Sequence, residues 1–172
     1  MNVTEGERAR RSGEVTLRTA LRPGDIGWVI GRHAEVYADE YGWGIEFEAL
    51  AAEIAAKFVQ QFDPRWECCW LAELAGERVG SVFVVKQSES VAKLRLLLVE
   101  PRARGHGIGR RLVDECIRFA REAGYQEMTL WTQSILLAAR HIYAQAGFQL
   151  VHSEPYFGIK QDLISETWTL RL

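Results

Sequence analysis

The sequence predicts one mixed α/β domain with its elements in the order β-α-α-β-β-β-α-β-α-β-β. Two observations carry that expectation. Apolar residues switch between helical and strand spacing along the chain. A turn signal stands at most of the switches: Pro23-Gly24, Gly42, Asp63-Pro64, Gly124 and Gly147. With 172 residues and no internal repeat, linker or low-complexity run, the chain has the length for one core over 14–172.

Residues 15–20 alternate apolar and polar side chains and predict a short half-buried strand. Pro23-Gly24-Asp25 makes a turn, with Asp25 placed to cap a helix from about 26 to 41, where Val29, Ile30, His33, Val36 and Tyr37 recur at helical spacing. Gly42-Trp43-Gly44 breaks it. A second helix over 46–62 puts Phe47, Leu50, Ile54, Phe58 and Phe62 on one face. Strands over 67–74 and 78–86 flank Ala75-Gly76-Glu77, which reads as a hairpin turn. The strand over 92–99 is unusually apolar towards its end, as a central strand covered on both faces should be. A helix over 108–123, a strand over 128–132, a helix over 136–146 and closing strands over 148–152 and 162–172 complete the order.

Composition removes several function classes. Apolar residues make up 48% and charged residues 26%, and 21 basic against 23 acidic side chains leave a net charge of −2. That balance lacks the basic surplus that phosphate backbones require, so nucleic acid is not an expected partner. No run approaches the length that spans a bilayer. Residues 1–13 are polar and Arg-rich without an apolar stretch, which predicts a disordered tail rather than a secretory signal, with a basic anchor for acidic surfaces as the alternative. Cys68, Cys69 and Cys116 are odd in number and spaced for neither zinc nor a disulfide scaffold, so no metal is expected and a reducing cytoplasm is the default.

The chemistry concentrates in Leu94 to Leu112. A buried strand enters a Pro-bearing turn, and Arg104-Gly105-His106-Gly107-Ile108-Gly109 opens a helix. Three glycines at alternate positions let backbone approach a bulky ligand without an intervening Cβ. A helix N-terminus adds free N–H groups and a positive dipole end, which suit a pyrophosphate, and Arg104, Arg110 and Arg111 can add charge. A dinucleotide site is the rival, but its spacing is Gly-x-Gly-x-x-Gly and its strand comes early in a βαβ unit; here two helices and three strands precede the turn.

Arg104 to Gly109 resembles the Arg/Gln-x-x-Gly-x-Gly/Ala signature of the GNAT superfamily of acyl-CoA-dependent N-acyltransferases. Ala139 to Phe148 resembles that family's Ala-x-x-Leu-Tyr-x-x-x-Gly-Phe block, and the resemblance runs from 15 to 172. More narrowly, AKLRLLLVEP, RRLVDECIRFAREAGY and DLISETWTL are similar to the acetyltransferase half of proteins that fuse a winged-helix regulator to such a domain.

The resemblance implies a mostly antiparallel, splayed sheet of about seven strands with about four helices, and acetyl-CoA as cosubstrate for acetylation of a primary amine on a small molecule or protein. It implies that Leu97, Leu98 and Val99 contact the pantetheine arm and that Arg104, Gly105, His106, Gly107, Ile108 and Gly109 hold the pyrophosphate. Tyr143 corresponds to the tyrosine that protonates the leaving thiolate, or is a packed core tyrosine. An asparagine of the family is replaced by Leu136. Lys93 stands where a general-base glutamate is usual, which leaves a base elsewhere, with Glu40, Glu46, Glu67 and His33 as candidates, or a water chain, or no base at all if the amine arrives neutral. Lys93 and Arg95, two apart on a strand, bind an anionic group of the acceptor or pair with neighbouring acids. Tyr41 and Trp43 line the acceptor site or pack a helix corner. A non-catalytic acyl-CoA sensor is the alternative function. Family members often pair through terminal strands, which makes a homodimer one expectation.

Overall fold

The computed structural model describes residues 13–160 and 162–172. The expected tail lies outside the described residues except for Gly13. The elements are β1 (Val15–Arg18), α1 (Asp25–Tyr41), α2 (Ile45–Gln61), β2 (Cys68–Leu74), β3 (Glu77–Lys86), β4 (Val91–Val99), α3 (Ile108–Ala123), β5 (Glu127–Gln133), α4 (Leu137–Ala146), β6 (Gln149–Tyr156) and β7 (Leu163–Arg171), with a 3₁₀ turn at Pro101–Ala103. They form one seven-stranded sheet in the order β1-β2-β3-β4-β5-β7-β6. Every neighbouring pair is antiparallel except β4 and β5. The expected order and sheet are therefore present, and β4 is the central strand.

Both faces of the sheet are covered, and strand alternation shows how. Trp70, Ala72, Val82 and Val84 join Leu112, Val113, Cys116 and Ala120 of α3 in the larger core. Their strand neighbours Cys69, Leu71 and Phe83 point the other way and pack on Val29 of α1 and Phe58 of α2. Burial on both sides is why β2 and β3 read as nearly continuous apolar runs. All three cysteines are free thiols, and burial pushes each one up from its usual range.

Asp25 departs from the expected role. Gly24 occupies the cap position of α1, and Asp25 is the first helical residue. Its carboxylate accepts from the Arg22 N–H at 2.7 Å and pairs with Arg18 at 2.8 Å and Arg78 at 3.2 Å. These partners, strongest among them Arg18, outweigh the desolvation that opposes them and lower its pKa. The residue thus fastens β1 and β3 to the start of α1.

Two features of β4 shape the site. It pairs with β5 only over Val91 to Leu94, opposite Glu127 to Leu130. Beyond Arg95 and Trp131 the two strands part. On its other edge, Leu98 opposes Ser81 and Arg95 opposes Phe83, so β4 carries one extra residue there. That is a β-bulge. Leu96, inside it, has φ +50°, a conformation costing an L-residue roughly 1–2 kcal/mol. The buried Ser81 hydroxyl donates to the Leu96 carbonyl at 3.0 Å and helps fix the turned peptide.

Candidate active site

The parted strands open a cleft of about 430 Å³ at the C-terminal end of β4. Leu97, Leu98 and Val99 form one wall, and Arg104, Gly105, Gly107, Ile108 and Gly109 close the end. Eight of the nine residues expected to hold coenzyme A are therefore brought together. The ninth, His106, is turned onto its own loop, with Nδ1 3.2 Å from the Ala103 carbonyl and 3.1 Å from that of Arg104. Its side chain does not line the cleft.

The glycines differ in their reasons for being glycine. Gly105 has φ +81° and Gly107 φ +72°, and a Cβ on either would point into open space. Gly107 is the N-cap of α3 and makes no side-chain cap, so the first N–H groups of α3 have no internal partner. Gly109 is different. A Cβ there would come within 2.8 Å of Ile142 Cδ1, so the end of that side chain would have to move, and glycine lets α3 and α4 pack closely. The cradle fits a pyrophosphate: free N–H groups, a positive helix end and an open approach. Arg110 lines the cleft, whereas Arg111 is turned away and donates to the Val15 carbonyl at 2.7 Å. Arg104 pairs with Glu40 of α1 at 2.6 Å.

A second, smaller cavity of about 90 Å³ adjoins the cleft, sharing Tyr37, Leu97, Leu136 and Ala139 with it. Its walls combine aromatic and aliphatic side chains. Tyr37 lies 5.0 Å from Trp43 and 4.9 Å from Phe47, centroid to centroid, and Trp131 faces in from β5. Tyr143 lines this cavity and is buried. Burial raises its phenol well above the usual range, so it keeps its proton at physiological pH. Trp43 lines the cavity as expected, whereas Tyr41 sits in the larger cleft.

The candidate bases separate clearly. Glu40 is held by Arg104, Glu46 is exposed, and Glu67 accepts from the Lys86 backbone N–H at 3.1 Å. None of the three lines the small cavity. His33 does. Its Nδ1 lies 2.8 Å from the Val29 carbonyl, which places the proton there and leaves Nε2 with a lone pair. Burial lowers the imidazole pKa to about 4, against that hydrogen bond, so the ring is neutral at pH 7.

Arg95 and Lys93 do share a face, lining a third cavity of about 310 Å³ with Lys57, Lys86 and Glu67. Only Arg95 also reaches the small cavity. Burial lowers both of their pKa values, and for Lys93 the neighbouring Arg95 charge adds to it. Among the described residues neither forms an ion pair, so the expected alternative of a salt bridge is not realised there. Nothing in the sequence singles out Gln133, which is buried in the small cavity at the end of β5. Glu127, Thr129 and Thr132 make β5 mixed in character, so one more polar residue at its end carries no signal.

Comparison with known proteins agrees with this architecture. The chain is 32% identical over 104 residues to N-acetylaspartate synthetase of Danio rerio, covering 60% of this chain and 37% of that protein. It is 29% identical over 122 residues to an uncharacterized N-acetyltransferase of Schizosaccharomyces pombe, covering 70% and 74%. The chain spans less than two fifths of the length of the first curated relatives it matches. The structure of yncA from Salmonella typhimurium with its cofactor acetyl-CoA superposes with a TM-score of 0.70 at 18% identity, over 92% of this chain and 94% of that one. That likeness is one of fold. These matches reach the family and not the narrower likeness to winged-helix fusion proteins. A family model, the acetyltransferase (GNAT) family, matches residues 32–148, and the chain belongs to that family.

Proposed function

We propose that the chain transfers the acetyl group of acetyl-CoA to a primary amine by direct attack in a ternary complex. One observation carries this reading: the cleft ending at the glycine turn adjoins the cavity lined by Tyr143 and His33, across the gap where β4 and β5 part. Two reactant sites that meet are what a direct transfer needs, and positioning supplies much of its rate. The relatives, N-acetylaspartate synthetase of Danio rerio and N-acetyltransferase 8B of Homo sapiens among them, support an amine acceptor by their names.

In this reading acetyl-CoA supplies a thioester whose carbonyl carbon is the electrophile. The N–H groups opening α3, with Arg104 and Arg110 beside them, bind the pyrophosphate. Leu97, Leu98 and Val99 offer free backbone on the edge that β5 has left, and one N–H there polarises the thioester carbonyl. Tyr143 keeps its phenolic proton and donates it to the departing sulfur. His33 offers an unprotonated ring nitrogen in a cavity that no carboxylate lines. With Arg95 as the cation lining that cavity, an amine is favoured in its neutral, nucleophilic form. Leu136, in place of the family asparagine, gives an apolar shared wall. Arg95, with Lys93 behind it, binds an anionic group elsewhere on the acceptor. Three buried or half-buried free thiols support a reducing compartment such as the cytoplasm.

Acetyl transfer to a panel of primary amines tests the proposal. Thiol release from acetyl-CoA should depend on the amine and should match the acetylated product found by mass spectrometry. Acetyl-CoA binding without product from any amine would instead support a sensor.

A further inference from the structure

We infer that Gln133 and the indole N–H of Trp43 form a recognition site for an amide, so that the acceptor is a small primary amine carrying a carbonyl–NH unit. This rests on the transferase reading and narrows it.

Among the described residues, three buried side-chain polar atoms have no hydrogen-bond partner: Gln133 Oε1, Gln133 Nε2 and Trp43 Nε1. Both residues line the same small cavity. Gln133 is 2% exposed and Trp43 4%. Buried polar groups are almost always matched in folded proteins, and the rest of this core follows the rule. His33 donates to the Val29 carbonyl, Ser81 to Leu96, and Thr129 to Trp168 at 3.2 Å. Glu166 accepts from both Arg140 and the Trp168 indole at 2.9 Å. The residues that carry the unmatched atoms both line one cavity, which adjoins the cleft proposed for the acetyl donor.

The backbone sets Gln133 beside the gap between the strands. It pairs with Ser165 of β7 on one side, while on the other β4 has already parted from β5.

The chemistry of the unmatched atoms selects the ligand. Gln133 offers two donors on Nε2 and two lone pairs on Oε1, and Trp43 adds one donor. A carboxylate would satisfy Nε2 and oppose Oε1; an ammonium would do the reverse. An amide matches both atoms, with its N–H on Oε1 and its carbonyl on Nε2, and the carbonyl's second lone pair can take the Trp43 N–H. Tyr37, Phe47 and Trp131 provide flat apolar walls for the planar group. The cavity volume of about 90 Å³ restricts the buried portion to a few atoms.

The test compares two probes of equal length. Glycylglycine has an amine and a carboxylate separated by an amide; 5-aminopentanoate replaces that amide by two methylenes. Calorimetry in the presence of coenzyme A should show wild type binding glycylglycine at least about tenfold tighter, the scale of a well-matched buried polar contact. Gln133→Met, apolar and of similar size, should reduce that ratio to within about twofold. Trp43→Phe should reduce it by about threefold. Without an amide to match, Gln133→Met should leave the Tm unchanged or raise it by up to about 4 °C. Equal binding of the two probes by wild type, binding of neither, or a preference that survives Gln133→Met would overturn the inference. So would a Tm fall of more than about 4 °C, which would mean that Gln133 is matched within the fold. Failure of the transferase reading would show separately, as absence of acetyl-CoA binding by wild type or as binding without acetylated product from any amine.

Discussion

The two halves of the site are built from different materials. The donor half is mostly backbone: a strand edge released by β5, two left-handed glycines and the uncapped start of α3. That backbone comes from one continuous stretch, Leu97 to Arg110, while side chains of α1 and α4 complete the cleft. The acceptor half is side chains, gathered from α1, α2, β4, β5, α4 and the loop before β7. A backbone site tolerates few substitutions and binds one kind of ligand. A side-chain site can be rebuilt residue by residue, and its specificity can change on an unchanged fold.

That contrast can be broken most severely at Gly107. Gly107→Glu forces a side chain into a left-handed position (φ +72°) and puts negative charge against the pyrophosphate. Acetyl-CoA affinity should fall more than about a hundredfold, since one charge is repelled where several N–H groups bound one. Because a Cβ at Gly107 meets nothing within 4 Å, circular dichroism should still report a folded protein. Tyr143→Phe comes next and falls in the smaller cavity. It should lower kcat by roughly a hundredfold, the usual scale for a proton donor, with little change in the KM for acetyl-CoA. A kcat within twofold of wild type would reduce Tyr143 to a packing residue.

The acceptor half carries a pH signature that the donor half lacks. The His33 pKa is about 4 in the fold against about 6.5 unfolded, so the unfolded chain binds more protons between those values. Stability should therefore be complete above about pH 6.5 and decline as pH falls towards 4, by at most about 3 kcal/mol. Thermal melts of His33→Gln should show a flatter acid limb. Identical acid limbs in the two proteins would contradict the assignment. The smallest expected effect returns to the donor half. His106 lies inside the signature yet bonds its own loop carbonyls, so His106→Ala should change acetyl-CoA affinity by less than about twofold.

The same contrast decides what could be read from the chain. Gly105 and Gly107 are visible in sequence because a left-handed turn leaves few other residues possible, and periodicity with turn signals located the seven strands and four helices of the described residues within a few residues. The bulge at Leu96 was written more faintly. Leu96, Leu97, Leu98 and Val99 break the apolar–polar alternation, which reads equally as a buried strand, and only pairing with β3 shows the extra residue. The role of Gly109 was legible only in part, since its neighbour Ile142 is supplied by another helix. Gln133, His33 and Trp43 were harder still. They lie far apart in the chain, and their meaning comes from the cavity they share. Lys93 and Arg95 share a strand face by simple alternation, yet the turn of β4 at the bulge leaves Arg95 alone to reach the acceptor cavity.

The most direct test of the acetyl-CoA site on which the proposed activity depends is a calorimetric titration of acetyl-CoA into the wild-type chain, repeated with Gly107→Glu. Binding at one site per chain in the micromolar range, absent in the folded variant, is the predicted result. No heat of binding from the wild type would contradict the acetyltransferase reading, and the acceptor assignments built on it would fall as well.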